Sequence, residues 1–202
     1  MHPDEPICGA ILAGGGSTRM GTDKAVLPLG EQTVLECIIN VMEQVCGHVV
    51  VNRNKPLTSI TSKIEYIHDE YSDAGPLAGL HAVLKNTKEP AVLLSACDTP
   101  FIQEDVLRYL LEQRSNQTTA IVPVHEGRIQ PLSAIYQGDL LPIIEQLLSD
   151  GKRSMRCLLD QIDVQYVSIF PSIPMDRLND HFFNMNTQGE YEQANTLFRK
   201  YQ

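Results

Sequence analysis

Short apolar runs alternate along the chain with amphipathic stretches of helical period. Ile7-Cys8-Gly9-Ala10-Ile11 reads as a buried strand. Thr33 and Glu36 have capping-box spacing, and Val34, Leu35, Ile38, Met42 and Val45 then follow a helical stripe to about Cys46. Strands are predicted over 48–51 and 64–67; the first runs into Asn52-Arg53-Asn54-Lys55-Pro56, the second into His68-Asp69. Gly75-Pro76-Leu77-Ala78-Gly79 opens a helix to about Asn86. Residues 90–97 are a continuous apolar run, as a central strand covered on both faces requires. Beyond it the pattern predicts a helix over 100–114 and strands over 120–124 and 132–136. Helices over 139–148 and 154–162 and a strand over 164–169 follow, and Thr187 with Glu190 caps a last helix to about Lys200. Alternating βα units predict an α/β three-layer sandwich with a mostly parallel sheet. Its ligands should lie at the carboxyl ends of the strands.

The loop after the first strand changes the picture from fold to chemistry. Residues 12–24 read LAGGGSTRMGTDK. Glycines let backbone N–H groups approach an anion, and Arg19 and Lys24 add positive charge nearby. Gly14, Gly16 and Arg19 occupy the three positions of the dinucleotide fingerprint, so its third glycine is missing. Gly16 and Gly21 have Walker spacing, but Thr22 stands where a Lys should follow. A bland glycine-rich turn seldom needs so many special residues in a row, so a nucleotide-binding loop outside both common motifs is the reading we adopt.

Composition narrows the classes. At 202 residues, 43% of them hydrophobic, the chain suits one domain, 1–202, with a full core. Sixteen Lys and Arg against 25 Asp and Glu give a net charge of −9 without a basic block, which argues against a nucleic-acid surface. No apolar run approaches the roughly 20 residues of a membrane span. MHPDEPICGA lacks a signal-peptide pattern, so a cytoplasmic location is expected. Five cysteines without a C-x-x-C pair and six scattered histidines lead us to expect neither disulfides nor a metal cage built by the protein. Cys8 and Cys97 read as small core residues.

Asp98 ends the most apolar strand, where it would meet phosphates held by the glycine loop. Mg²⁺ needs only one or two carboxylates beside phosphate oxygens, so one Asp suffices; a helix cap after Pro100 is the plainer role. Asp69 either accepts hydrogen bonds from a base or ribose or begins the turn before Gly75, and Asn52 either bonds a base edge or ends a strand. On extended backbone Asn184 and Asn186 point the same way, and with Thr187 as the cap Asn186 leans towards a site. Arg153 and Arg156, in the most basic stretch, either meet a second anionic substrate or belong to a solvated loop.

With these residues assembled, the chain resembles the molybdenum cofactor guanylyltransferases, the MobA family. LAGGGSTRMGTDKA, Asp69, the GPLAG of Gly75 to Gly79, Asp98-Thr99-Pro100 and FFNMNT follow in family order over almost the whole chain. The resemblance implies a Rossmann-type fold like that of the nucleotide-diphospho-sugar transferases, with the GTP and Mg²⁺ site in the N-terminal half and the phosphate acceptor in the C-terminal half. It implies transfer of GMP from Mg·GTP to molybdenum-bound molybdopterin with release of pyrophosphate. The finished cofactor would pass on through transient contact with molybdenum-insertion proteins or molybdoenzyme chaperones.

By motif match, Leu12, Ala13, Gly14, Gly15, Lys24, Asn52, Asp69 and Asp98 would bind GTP, with Asp98 on Mg²⁺. Arg19, Lys24 and Asp98 would carry catalysis, and Arg153, Arg156, Asn184 and Asn186 the acceptor. Gln130 departs from members that have His before the Pro, which bears on pterin recognition. Three other readings compete: a molybdopterin cytidylyltransferase, another sugar-phosphate nucleotidyltransferase, and a non-catalytic nucleotide or pterin carrier. Cytidylyl relatives tend to carry LAAG, so the second glycine here favours the larger purine.

Overall fold

The computed structural model describes residues 5–14, 23–57, 64–115 and 117–200. The first elements are β1 (Ile7–Leu12), the small hairpin of β2 (Pro28–Leu29) and β3 (Gln32–Thr33), α1 (Val34–Glu43), β4 (His48–Asn52) and β5 (Glu65–Ile67). Next come α2 (Gly75–Asn86), β6 (Ala91–Ala96), α3 (Glu104–Glu112), β7 (Ala120–His125), β8 (Arg128–Ile129) and β9 (Ala134–Gln137). The chain continues through α4 (Leu141–Ser149), α5 (Met155–Leu159), β10 (Val164–Val167), α6 (Met175–His181) and α7 (Gln188–Phe198). The main sheet has the order β10-β7-β9-β6-β1-β4-β5, with β8 pairing to β7. Its pairings are parallel except those of β9 to β6 and β7 and of β8 to β7.

The central strands are apolar on both faces because both are covered. Ile7 and Ile11 of β1, Val49 and Val51 of β4 and Leu93 of β6 face one core with residues of α1, α3, α6 and α7. Cys8, Ala10 and Leu12, with Val50, Val92 and Leu94, face a second core under α2, α4 and α5. The result is the expected three-layer α/β sandwich with a mixed, mostly parallel sheet. Both capping boxes form: the Thr33 hydroxyl accepts from the Glu36 N–H, and Thr187 does the same for Glu190.

Several elements differ from the pattern. α3 begins at Glu104 rather than near residue 100, because Phe101 and Ile102 are buried in the core and the Gln103 N–H is engaged by His181. The β7–β8 hairpin turns through Glu126 and Gly127, both at positive φ; Glu-Gly is a weaker turn signal than Asn-Gly. α6 has only Leu178 and His181 buried, too few apolar positions to show helical period. β10 stops at Val167, two residues short of the expected end, and α5 stops at Leu159.

His181 ties α6 to the sheet without a charge. Its Nδ1 accepts from the Gln103 N–H at 2.8 Å, so the proton is on Nε2, which donates to Ser133 Oγ at 2.9 Å. Burial pushes this imidazole down to about 3 from an ordinary 6.5. The unfolded imidazole takes a proton below about pH 6.5 while the folded one stays neutral, so stability is full above that pH and is lost as the pH falls towards 3. The expected slope is about 1.4 kcal/mol per pH unit once the unfolded imidazole is protonated. Urea melts of wild type and His181→Gln at neutral and acidic pH check this: the variant should lose stability less steeply, and equal slopes would assign the acid sensitivity to carboxylates alone.

Candidate active site

Parallel register aligns the carboxyl ends of three strands: Leu12 of β1 sits beside Asn52 of β4 on one side and Ala96 of β6 on the other. Above them lies a cleft of about 370 Å³ lined by Leu12, Ala13, Gly14, Lys24, Asn52, Asp69 and Asp98, among others. These expected site residues therefore converge in space. Gly15 and Arg19 lie outside the described residues.

One end of the cleft is a fixed hydrogen-bond acceptor. Asn52 is buried and gives both amide hydrogens away, to the Ile67 carbonyl at 3.2 Å and to Asp69 Oδ1 at 2.9 Å. Asn54 Oδ1 accepts from the Asp69 N–H at 2.9 Å. Asn52 thus holds Asp69 in place, a duty that its position at a strand end alone did not reveal. Close approach of α2 makes room for it: a Cβ on Gly79 would lie 2.6 Å from Asn52 Oδ1 and 2.8 Å from Leu12 Cδ2. Of the GPLAG run, Gly79 is a packing glycine and Gly75 stands at φ +65°, where side chains are disfavoured.

The other end joins both termini of the chain. Lys24 Nζ donates to Asn186 Oδ1 at 2.7 Å, a contact spanning 162 residues. The Asp98 carbonyl accepts from the Met185 N–H at 2.7 Å, so the FFNMNT segment is laid along the tip of β6. Glu190 receives the N–H groups of Asn186 and Thr187 at 2.7 and 2.8 Å; the Asn186 bond holds its carboxyl below the usual range. Burial pushes the Asp98 carboxyl above its ordinary value, and the Lys24 ammonium opposes that shift. A carboxylate so desolvated, facing a cleft, suits a hard cation carried in with anionic oxygens.

Cys97 lines the same cleft, which its reading as a plain core residue missed. Burial, and then Asp98, push its thiol up to about 12, so it stays protonated and is a poor nucleophile. Of the expected acceptor residues, Asn186 meets Lys24, while the Asn184 amide donates to the Phe182 carbonyl at 3.0 Å. Arg153 reaches the rim, donating to the carbonyl of the cleft residue Asp73 at 2.8 Å. Arg156 is exposed and paired with Asp160 on its own helix, apart from the residues that line the cleft. Gln130 Nε2 reaches the Arg128 carbonyl, at 3.5 Å.

Arg53 and Asp23 were not foreseen. The Arg53 guanidinium donates to the Ala13 carbonyl at 3.0 Å and makes a two-pronged ion pair with Asp23. Asp23 in turn caps the turn that begins at Lys24. Ala13 and Asp23 are the residues before and near the end of the glycine-rich stretch, so Arg53 fixes the two ends of that loop relative to each other. The signal available in sequence was a lone Arg in a polar run 30 residues from its partner.

Substitutions at two positions test this scaffold. Arg53→Ala is expected to lower unfolding free energy by about 1 kcal/mol and to raise the nucleotide KM more than it lowers kcat. Arg53→Lys, lacking the fork, should restore only part of both. Gly79→Ala should cost about 1–3 kcal/mol through overpacking and weaken nucleotide binding by displacing Asn52. Urea melts and nucleotide titrations read both effects, and unchanged binding in either variant would make that residue purely structural.

Comparison with known proteins identifies the family and the fold. Residues 9–166 match the MobA-like NTP transferase domain. A "Probable molybdenum cofactor guanylyltransferase" of Bacillus mycoides is 35% identical over 194 residues, covering 92% of this chain and 94% of the relative. One of the same name from Bacillus anthracis is 37% identical over 191 residues with the same coverage. The crystal structure of molybdopterin-guanine dinucleotide biosynthesis protein A from Archaeoglobus fulgidus superposes with a TM-score of 0.83 at 25% identity, over 96% of this chain and 100% of that one. The chain is a nucleotidyltransferase and belongs to the MobA-like NTP transferase family, alongside its molybdenum cofactor guanylyltransferases.

Proposed function

We propose that the protein transfers GMP from GTP to the terminal phosphate of molybdenum-bound molybdopterin, releasing pyrophosphate. The observation that carries the choice of nucleotide is the fixed Asp69 carboxylate. Guanine presents adjacent N1–H and N2–H donors, which a carboxylate accepts together, whereas cytosine presents a donor beside an acceptor. Gly14 supports the same choice: a Cβ there would stand 3.8 Å from Asn52 and 4.0 Å from Asp69 Oδ2, within the space a purine needs.

Asp98, with phosphate oxygens and water, is the residue that would hold Mg²⁺, which supplies charge neutralisation at the triphosphate. Lys24 spends one N–H on Asn186 and keeps two for phosphate oxygens. Asn186 is thus a positioning residue for Lys24, and Arg19 adds charge from the glycine loop. The acceptor phosphate is already anionic near neutral pH. Its oxygen attacks the α-phosphorus, the bond to the bridging oxygen breaks, and pyrophosphate leaves; no activated Ser or Cys is needed. Catalysis is positioning and charge stabilisation, in accord with the protonated Cys97 thiol.

The N-terminal half holds the nucleotide in this reading, and Asn186 beside Lys24 and Arg153 at the rim would meet the phosphate acceptor. Arg156, paired with Asp160, and Asn184, turned to the Phe182 carbonyl, drop out of that role. We place the reaction in the cytoplasm, with the product handed on through transient contact with a molybdenum-insertion protein or a molybdoenzyme chaperone.

Pyrophosphate release from GTP, CTP, ATP and UTP, with and without molybdenum-loaded molybdopterin, tests the whole reading. Acceptor-dependent turnover with GTP alone is expected. CTP preference would transfer the chain to the cytidylyl reaction, and no turnover by folded protein would favour a carrier. Lys24→Ala and Asp98→Ala should each lower kcat by orders of magnitude, and Asp69→Asn should lower kcat/KM for GTP by about 10- to 100-fold. Full activity in any of these removes that residue from its assigned role.

A further inference from the structure

At the other end of the sheet, roughly 13 Å along β1 from Leu12, three metal-capable side chains come together from distant parts of the chain. Cys8 lies near the start of β1, His48 begins β4, and Glu89 sits in the turn before β6. The parallel register sets Cys8 directly beside His48, so their side chains share one face of the sheet. One donor atom from each, the Cys8 sulfur, an imidazole nitrogen and a carboxylate oxygen, lies within 4.8 Å of the other two. His48 Nδ1 stands 3.2 Å from Glu89 Oε1. Two donors each about 2.0–2.2 Å from a tetrahedral zinc ion are separated by about 3.3 Å, so that spacing already matches a shared ligand shell.

We propose that Cys8, His48 and Glu89 form a second cation site, for a zinc-type divalent ion, separate from the catalytic cleft. The far side of the imidazole supports it: His48 Nε2 is 3.2 Å from Glu65 Oε2. A metal-bound histidine commonly gives its other N–H to a carboxylate, which fixes the tautomer and turns the ligand nitrogen inward. Glu65 is therefore a positioning residue. Without an ion, His48 is an ion-paired histidine between two glutamates and Cys8 a buried core thiol on the Gly9 carbonyl at 3.5 Å. Burial, and then Glu89, push that thiol up to about 12; the ion adds a positive charge that would favour the thiolate there. His48 and Glu89 border an open cavity of about 440 Å³, so solvent reaches these two ligands, while Cys8 is buried behind them. A thiolate donor selects zinc-type ions over the Mg²⁺ that suits Asp98. Binding releases the thiol proton to solvent. The ion would tie together β1, β4 and the turn before β6, the same strands whose other ends build the cleft. Sequence spacing gave no hint, since 8, 48 and 89 fit no metal motif and meet only through the parallel register.

Cobalt(II) titration of the full chain, freed of metal by chelator, tests the proposal. We expect one equivalent to bind with a thiolate-to-cobalt charge-transfer band. Cys8→Ser should lose the band, and His48→Ala and Glu89→Gln should weaken binding at least about 10-fold, as should Glu65→Gln through its effect on His48. Asp98→Asn and Cys97→Ser should keep the band. Zinc should raise the melting temperature of wild type and not of His48→Ala, whose side chain is partly exposed and whose fold is checked by circular dichroism. A saturated protein without a thiolate band, a band that survives Cys8→Ser, or one lost with Cys97→Ser would overturn the assignment.

Discussion

Everything at the candidate site depends on β1 being held in parallel register between β4 and β6. Once Leu12 is beside Asn52 and Ala96, the next residues of all three strands must leave the sheet at one level. Ala13 and Gly14, the Asn52–Asp69 pair and Asp98 then face one cleft. The register itself is secured by burial on both faces: a slip by one residue would exchange the two cores' side chains along the strand.

The cleft is completed by side-chain contacts that join its loops to one another and to the strand end at Asn52. Arg53 fixes the ends of the glycine-rich stretch, Asn52 fixes Asp69, and Asn186 fixes Lys24. In each case the group facing the cleft is held by a neighbour whose own donors or acceptors are occupied. This is preorganisation of a plain kind, suited to a reaction in which positioning and charge stabilisation are the protein's contribution.

The regular parts of the fold were legible because their physics is local. The stripe after Thr33, the capping boxes at Thr33 and Thr187, and the doubly buried run before Asp98 each carry their reason within a few residues. The reversed direction of β9 and the Glu126-Gly127 hairpin were not legible, since strand direction leaves no mark in side-chain period and Glu rarely adopts positive φ. That Asp98, Lys24 and Asp69 line one cleft could be expected from their places after strands and glycines. The Arg53–Asp23 pair and the Lys24–Asn186 bond could not, because each joins residues that only the folded chain makes neighbours. Cys97 was misjudged for a related reason: the same apolar strand that buries a thiol also ends in the cleft.

The hydrogen bond from Lys24 to Asn186 has a consequence for how the protein comes into being. The ribosome delivers the glycine loop, Asn52, Asp69 and Asp98 well before it delivers the segment that steadies Lys24. A growing chain therefore carries most of the candidate site's residues long before that cleft is assembled, and the final arrangement waits on residues 185–190. Competence is in this way linked to synthesis: until that late segment is made, the protein has the parts for chemistry without the geometry, and a fragment stopping short of Asn186 keeps a lysine with no fixed aim.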